Sequence, residues 1–277
     1  MNFVASTFLI LTLALFSSSQ AQAQERVLPK AQDSVCQIDG RTIGFNITQR
    51  EVNSLSVIGK NLQESLPWHY EAQPISPIPY DWINPTFREL LRTENEYESM
   101  QAEALQALLN MLDEAQKEGM ELFIHSAYRP YQIQCSVFIR KVRIEMKDKG
   151  LNLEQAIAAV NTRSAFPGQS EHQLGTAVDL VTNIPGLGYK LEYEMERTPA
   201  FLWLEKNAAK YGFVLSFPKA RGTALDQPHP QTGYIYEPWH WRYIHPFYAE
   251  RFKECRGMVT PQAFLRALSQ NANYRCR

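Results

Sequence analysis

The 277-residue chain has no excess of charge of either sign, since 28 lysines and arginines stand against 29 aspartates and glutamates and leave a formal net charge of -1. Without a basic surplus there is nothing to hold phosphates non-specifically, so nucleic acid is excluded as a default partner. No internal repeat and no low-complexity tract appears. With 44% hydrophobic and 21% charged residues, the composition also sets aside disorder, collagen-like repetition and a polytopic membrane protein. Cysteine is scarce: only Cys36, Cys135, Cys255 and Cys276. A chain this long buries roughly 70% of its unfolded surface and needs neither cystines nor a metal merely to fold. A metal site found here therefore asks for a functional explanation.

The apolar run FLILTLALF at 8–16 is shorter than the roughly 20 residues that a membrane span requires. No Lys or Arg precedes it, but Ser17, Ser18 and Ser19 and then Ala21-Gln22-Ala23 follow, the pattern of a signal-peptide core and a small-residue cleavage site. We expect a signal peptide at 1–23 and an exported protein, periplasmic or secreted, with no stable membrane span after cleavage. Export permits disulfides. Four cysteines allow three pairings, among which Cys36–Cys135 with Cys255–Cys276 is preferred.

Residues 24–79 are polar and irregular, ending in a cluster of Pro67, Pro74, Pro77 and Pro79, and read as an N-terminal extension. Within 95–117, Leu105, Leu108, Leu109 and Leu112 recur at helical spacing and Gly119 follows as a stop, which predicts an amphipathic helix. Residues 120–125 alternate as a strand does. Pro130 opens a second predicted helix to Lys149, and Asn152 caps a short third one. Strands are expected at 175–181, 213–217 and 239–244, with a helix at 199–211. Helices and short strands in this order predict an α+β fold, a small antiparallel sheet flanked by helices. The catalytic domain is placed at 80–254 and a C-terminal tail at 255–277.

Three stretches can carry chemistry. In Ser170-Glu171-His172-Gln173-Leu174-Gly175-Thr176-Ala177-Val178-Asp179, a strand at 175–181 puts Gly175, Ala177 and Asp179 on one face and Val178 and Leu180 on the other. Asp179, with His172 brought round from the preceding loop, supplies one oxygen and one nitrogen competent for zinc. A hydrogen-bonded His with a turn-capping Asp is the plainer alternative. The second stretch, Tyr236-Glu237-Pro238-Trp239-His240-Trp241-Arg242-Tyr243, adds a His beside a carboxylate. Two His and one Asp leave a fourth position open, the layout of a catalytic zinc rather than a structural one. Glu237 is then the candidate proton carrier, provided Pro238 bends the chain so that Glu237 and His240 face the same way. In the third, Ser126-Ala127-Tyr128-Arg129-Pro130, Arg129 stands just outside a helix start, where a guanidinium fork and unsatisfied amides favour a carboxylate. His125 reads as a core or edge histidine or as a group behind the site. His69, His229 and His245 read as surface or loop residues. The basic run Arg140, Lys141, Arg143, Lys147 and Lys149, interleaved with Glu145 and Asp148, reads as a solvated helix face.

Together the stretches read S-x-Y-R-x-x-x-x-Q, S-x-H-x-x-G-x-A-x-D and E-x-W-H-x-x-Y, in order. The middle one alone is expected by chance on the order of 10⁻⁴ times in a chain this long. The set resembles the VanY-type zinc D-alanyl-D-alanine carboxypeptidase family, including the related peptidoglycan L,D-carboxypeptidases, over about 95–252. The resemblance implies a single zinc-peptidase domain of the D-Ala-D-Ala carboxypeptidase and hedgehog-like type. It implies Zn2+ held by His172, Asp179 and His240, with Glu237 as general base and acid. Arg129, with Ser126 nearby, would hold the substrate's terminal carboxylate, and Gln134 and Ser170 would line the site. The implied substrates are peptidoglycan stem peptides, cut at a C-terminal D-alanine. The segment 221–231 is longer than the family's usual loop before E-x-W-H and bears on substrate preference. A cell-wall endopeptidase on the same scaffold and a non-catalytic zinc domain like that of hedgehog proteins are the rival readings. Glu237 argues against the second, because a purely structural metal needs no acid-base partner.

Overall fold

The computed structural model describes residues 36–43, 56, 72, 75–86 and 99–276. The expected signal peptide and its cleavage site, most of the expected N-terminal extension, and His69 lie outside the described residues. In chain order, β1 (Gln37–Ile38) and β2 (Arg41–Thr42) form a minimal hairpin, and β3 (Ile75–Pro77) pairs antiparallel with β4 (Ser99–Gln101). Then follow α1 (Ala102–Lys117), β5 (Phe123–Ser126), α2 (Tyr131–Lys149), α3 (Leu153–Val160), β6 (Ala177–Val181), α4 (Pro199–Asn207), β7 (Phe213–Leu215), β8 (His240–Tyr243), α5 (Pro246–Lys253) and α6 (Pro261–Gln270). The fold is α+β, centred on a four-stranded antiparallel sheet of order β5-β6-β8-β7.

Local chemistry sets most of these boundaries. The leucine stripe forms α1, but its first turn begins at Ala102 and not at 95, because Ser99–Gln101 is taken up by pairing with β3. Pro130 caps α2 from outside instead of being its first helical residue, and Gly150, at φ 65°, ends it. Asn152 accepts from the Gln155 amide while the Gln155 side chain accepts from the Asn152 amide, a complete capping box. The helix expected over 199–211 breaks into α4 and a 3-10 turn, Ala208–Tyr211, closed by Gly212 at φ 88°. A Cβ at Gly212 would sit 2.6 Å from the Tyr243 ring, so only glycine satisfies both the backbone angle and the close approach.

One face of the sheet presents Val178, Leu180 and Trp241 to the main core, where they meet Leu105, Leu108 and Leu112 of α1 and Leu204 of α4. A second core packs α5 and α6 together through Phe252, Phe264, Leu265 and Leu268, with Cys255 bonded to Cys276 at its edge. Residues 255–276, read as a tail, thus hold a helix buried against the rest of the unit. The third core joins α2 and α3 to the β1–β2 hairpin through Phe138, Val142, Val160 and Ile38, and the Cys36–Cys135 disulfide ties it. Both disulfides follow the preferred pairing. None of the described helices is long and apolar enough to cross a membrane.

Candidate metal centre

The register of the sheet builds the site. Ser126 on β5 stands opposite Asp179 on β6, and Asp179 stands opposite His240 on β8. Because opposed residues in an antiparallel sheet point to the same face, these three side chains form a row on the face away from the main core. A bulge in β5 between Ile124 and Ser126 shifts the register by one and brings Ser126 into that row. His172 comes from the 3-10 turn just before β6, Glu171–Leu174, which ends at Gly175 with φ 72°.

His172 Nε2 lies 3.3 Å from Asp179 Oδ2, and His240 Nδ1 lies 2.9 Å from Asp179 Oδ1. One ligand atom from each of His172, Asp179 and His240 falls within 4.8 Å of the others. The outer nitrogens are already engaged, His172 Nδ1 with the Ala127 carbonyl at 2.6 Å and His240 Nε2 with a Glu171 oxygen at 3.2 Å. Such outer partners fix ring orientation and select which nitrogen is free to ligate. Here they free Nε2 of His172 and Nδ1 of His240, both turned toward Asp179.

The electrostatics agree with this donor set. Burial, helped by Arg129, pushes His172 down to about 4, so the ring is neutral and its lone pair available. Asp179 is held well below the usual carboxylate range, since His172 and His240 outweigh its burial. Burial also works against a charged His240, yet the Asp179 and Glu171 carboxylates raise it to about 10. The pocket thus favours positive charge between carboxylates, and a divalent cation provides it more compactly than a proton. The residues present fit a metal with two imidazole nitrogens and one carboxylate as its protein ligands.

Glu237 reaches the site through a turn. The His240 amide donates to the Glu237 carbonyl at 3.1 Å, so residues 237–240 reverse around Pro238 and the Glu237 carboxylate comes to 3.9 Å from His240 Nδ1. The bend expected at Pro238 is therefore present. Burial pushes the Glu237 carboxyl up to about 7, against the pull of His240. Arg129 donates to Ser126 Oγ and to Gln134 Oε1, each at 2.8 Å, and Gln134 in turn donates to the Ala165 carbonyl at 2.6 Å. The guanidinium is thereby oriented 3.8 Å from Asp179. Ser126, Arg129, Gln134, Ser170, His172, Asp179, Glu237 and His240 all line one cavity of about 670 Å³, so the structure brings every candidate from the three stretches into one place. His125 lines it too, with Nδ1 3.1 Å from the Asn84 amide nitrogen. His229 lies in a loop, and His245 is exposed and caps α5 through the Phe247 amide.

Sequence reasoning missed the layer behind the His172, Asp179 and His240 cluster. Glu171 is buried and accepts from Arg242 Nη1 at 2.9 Å and from Gln262 Nε2 at 3.0 Å, while its other oxygen faces His240. Arg242, fully buried, also donates to the Ser56 carbonyl. Arg242 stands two residues after His240 on β8, so strand alternation alone puts it on the site face; Glu171 adjoins His172. Gln262 lies on α6, 91 residues from Glu171 in sequence, and no local signal points to it. Lys141, read as part of a solvated face, instead lines the cavity with Arg163.

Comparison with known proteins accords with this geometry. Residues 97–246 match the family model VanY, described as D-alanyl-D-alanine carboxypeptidase. The chain belongs to the VanY family. It is 32% identical to YodJ of Bacillus subtilis strain 168 over 201 residues, 73% of this chain, and spans 63% of YodJ's length. Among solved structures, the LdcB LD-carboxypeptidase superposes with a TM-score of 0.60 at 27% identity, covering 84% of this chain and 93% of LdcB. A variant of the vancomycin-resistance D,D-pentapeptidase VanY from a VanB-type cassette, solved in complex with Zn(II), gives 0.57 at 26% identity, covering 76% of this chain and 98% of that one.

Proposed function

We propose that this VanY-family protein is an exported zinc carboxypeptidase that removes the C-terminal D-alanine from peptidoglycan stem peptides, acting as a D,D- or an L,D-carboxypeptidase. The observation that carries the reading is the convergence, in one cavity, of a two-His, one-Asp donor set and an anchored Arg129. His172, Asp179 and His240 would hold Zn2+. Bound zinc supplies polarisation of the scissile carbonyl and a water acidified toward neutrality. Glu237 takes a proton from the attacking water and delivers it to the departing amine; its position beside His240 suits both transfers. Arg129, steadied by Ser126 and Gln134, binds the free carboxylate of the terminal residue, and that requirement makes the enzyme an exopeptidase. Ser170 lines the same space. The signal peptide at 1–23 would deliver the enzyme to the periplasm or exterior, where its polymeric substrate lies.

Intact-mass analysis of tetrapeptide and pentapeptide muropeptides, before and after treatment with the zinc-loaded protein, tests the proposal. The expected result is loss of a single terminal alanine. Cleavage within cross-linked peptides that lack a free terminus would establish the endopeptidase instead, and no cleavage of any fragment would remove the enzymatic reading.

A further inference from the structure

α2 forms one wall of the cavity through Ile133, Gln134, Val137, Arg140 and Lys141, positions that recur at helical spacing along a single face. At its inner end Gln134 grips Arg129. Lys141 lies two turns further along. Its ammonium is partly buried, and among the described residues it makes no hydrogen bond or ion pair, whereas Arg163 beside it is bonded to Glu145. Burial pushes its pKa down, with Glu237 the main charge opposing that fall. None of the four carboxylates that share the cavity forms an ion pair with it: Asp179 is committed to the two histidines, Glu171 to Arg242 and His240, and Glu237 and Glu192 stand beyond ion-pair distance. A cation withdrawn from water without a counter-ion in contact is costly, and a ligand that brings one offsets that cost.

Resting on the carboxypeptidase reading, we propose that Lys141 is a second anion-recognition point, which takes a carboxylate carried on the acyl side of the scissile bond. The seven steps along the helix from Gln134 to Lys141 span about 10 Å at about 1.5 Å each. An extended peptide covers that distance in about three residues. The second carboxylate therefore belongs to the residue before the scissile bond or to the one preceding it. The substrate class is a peptide with a free terminus and an acidic group within three residues of it. Arg140, at the rim of the same wall, adds to the positive field without being the anchor.

Peptides ending in D-alanine, with either Glu or its isosteric amide Gln at each of those two positions, test this. Calorimetry on the zinc-loaded Glu237→Gln protein measures Kd, and the active enzyme gives kcat/KM. The original Lys141 should favour Glu over Gln at one of the positions by on the order of tenfold in both quantities, as charge-assisted pairing implies. Lys141→Met should bring the acidic peptide down to the level of its amide, and Lys141→Arg should keep the preference. A native protein indifferent to the acid, or a Lys141→Met variant that keeps the preference while its pH profile shifts, overturns the assignment. If no peptide is cleaved but the binding preference exists and is lost in Lys141→Met, the carboxypeptidase reading falls and the anion site stands.

Discussion

Replacing Glu171 by Gln separates support of the metal site from the site itself. Glu171 and Arg242 are 2% and 0% exposed at their side chains and 2.9 Å apart. Removing one partner of such a pair strands the other charge in the interior, at a cost of about 3–5 kcal/mol. For a domain of this size, about 2–4 °C of melting temperature is lost per kcal/mol, which corresponds to a fall of roughly 6–20 °C. The variant also weakens the bond that orients His240, so zinc affinity should drop by about 10- to 100-fold. Thermal melts of the metal-free protein at pH 7 and competitive zinc titrations read the two effects separately. Burial works against the Glu171 charge, but Arg242 and His240 hold its carboxyl well below the usual range. Its stabilisation is therefore complete above about pH 4.5 and lost as pH falls below that. The double substitution Glu171→Gln with Arg242→Met removes the stranded charge and should recover much of the stability but not the zinc affinity. A single Glu171→Gln variant that melts within about 2 °C of the wild type and binds zinc as tightly would refute the reasoning.

Glu237→Gln should lower kcat by about 10²- to 10⁴-fold while one zinc per chain remains by metal analysis; retained turnover removes Glu237 from the proton path. Arg129→Ala should reduce kcat/KM by about 10- to 100-fold on peptides with a free terminus, and an equal loss on C-terminally amidated analogues would count against the carboxylate clamp. Glu145 is held below its ordinary value first by Lys149, whose ammonium lies 3.0 Å from Oε2, and also by Arg163. Its contribution is present above about pH 4.5 and fades as pH falls. Urea midpoints of wild type and Glu145→Gln should accordingly differ at pH 7 and converge near pH 3, and a gap independent of pH would show that the charge contributes nothing.

What could be read from the sequence follows the distance over which each signal acts. The Asn152 cap, the leucine stripe of α1 and the turn at Pro238 are set by residues within seven positions of one another, and each is present. The start of α1 is not legible in the sequence, because pairing between Ser99–Gln101 and Ile75–Pro77 is a contact across more than 20 residues that leaves no periodic trace. The candidate site was legible for a structural reason. Ser126, Asp179 and His240 occupy one row across three adjacent strands, and each neighbouring partner lies within a few residues on its own segment. Three short motifs thus contain nearly the whole inner shell.

The layers around that shell obey a different logic. Gln262 reaches Glu171 only because α5 and α6 fold their apolar faces together through Phe252 and Phe264 and lay the start of α6 beneath the 3-10 turn that bears His172. Lys141 enters the cavity because α2 is rotated by the packing of Phe138 and Val142 against α3 and the disulfide-tied hairpin. A basic helical run looks solvated in sequence whichever way the helix is turned; its neighbours decide which cation faces inward. The core of α2 and α3 therefore determines the charge of the cavity wall, although none of its apolar residues carries a charge. Repacking that core, with every polar residue of the site left in place, should alter the proposed preference for acidic peptides, read by Kd, before it alters zinc affinity, because His172, Asp179 and His240 hang from the sheet and the turn before β6 while Lys141 hangs from the helix.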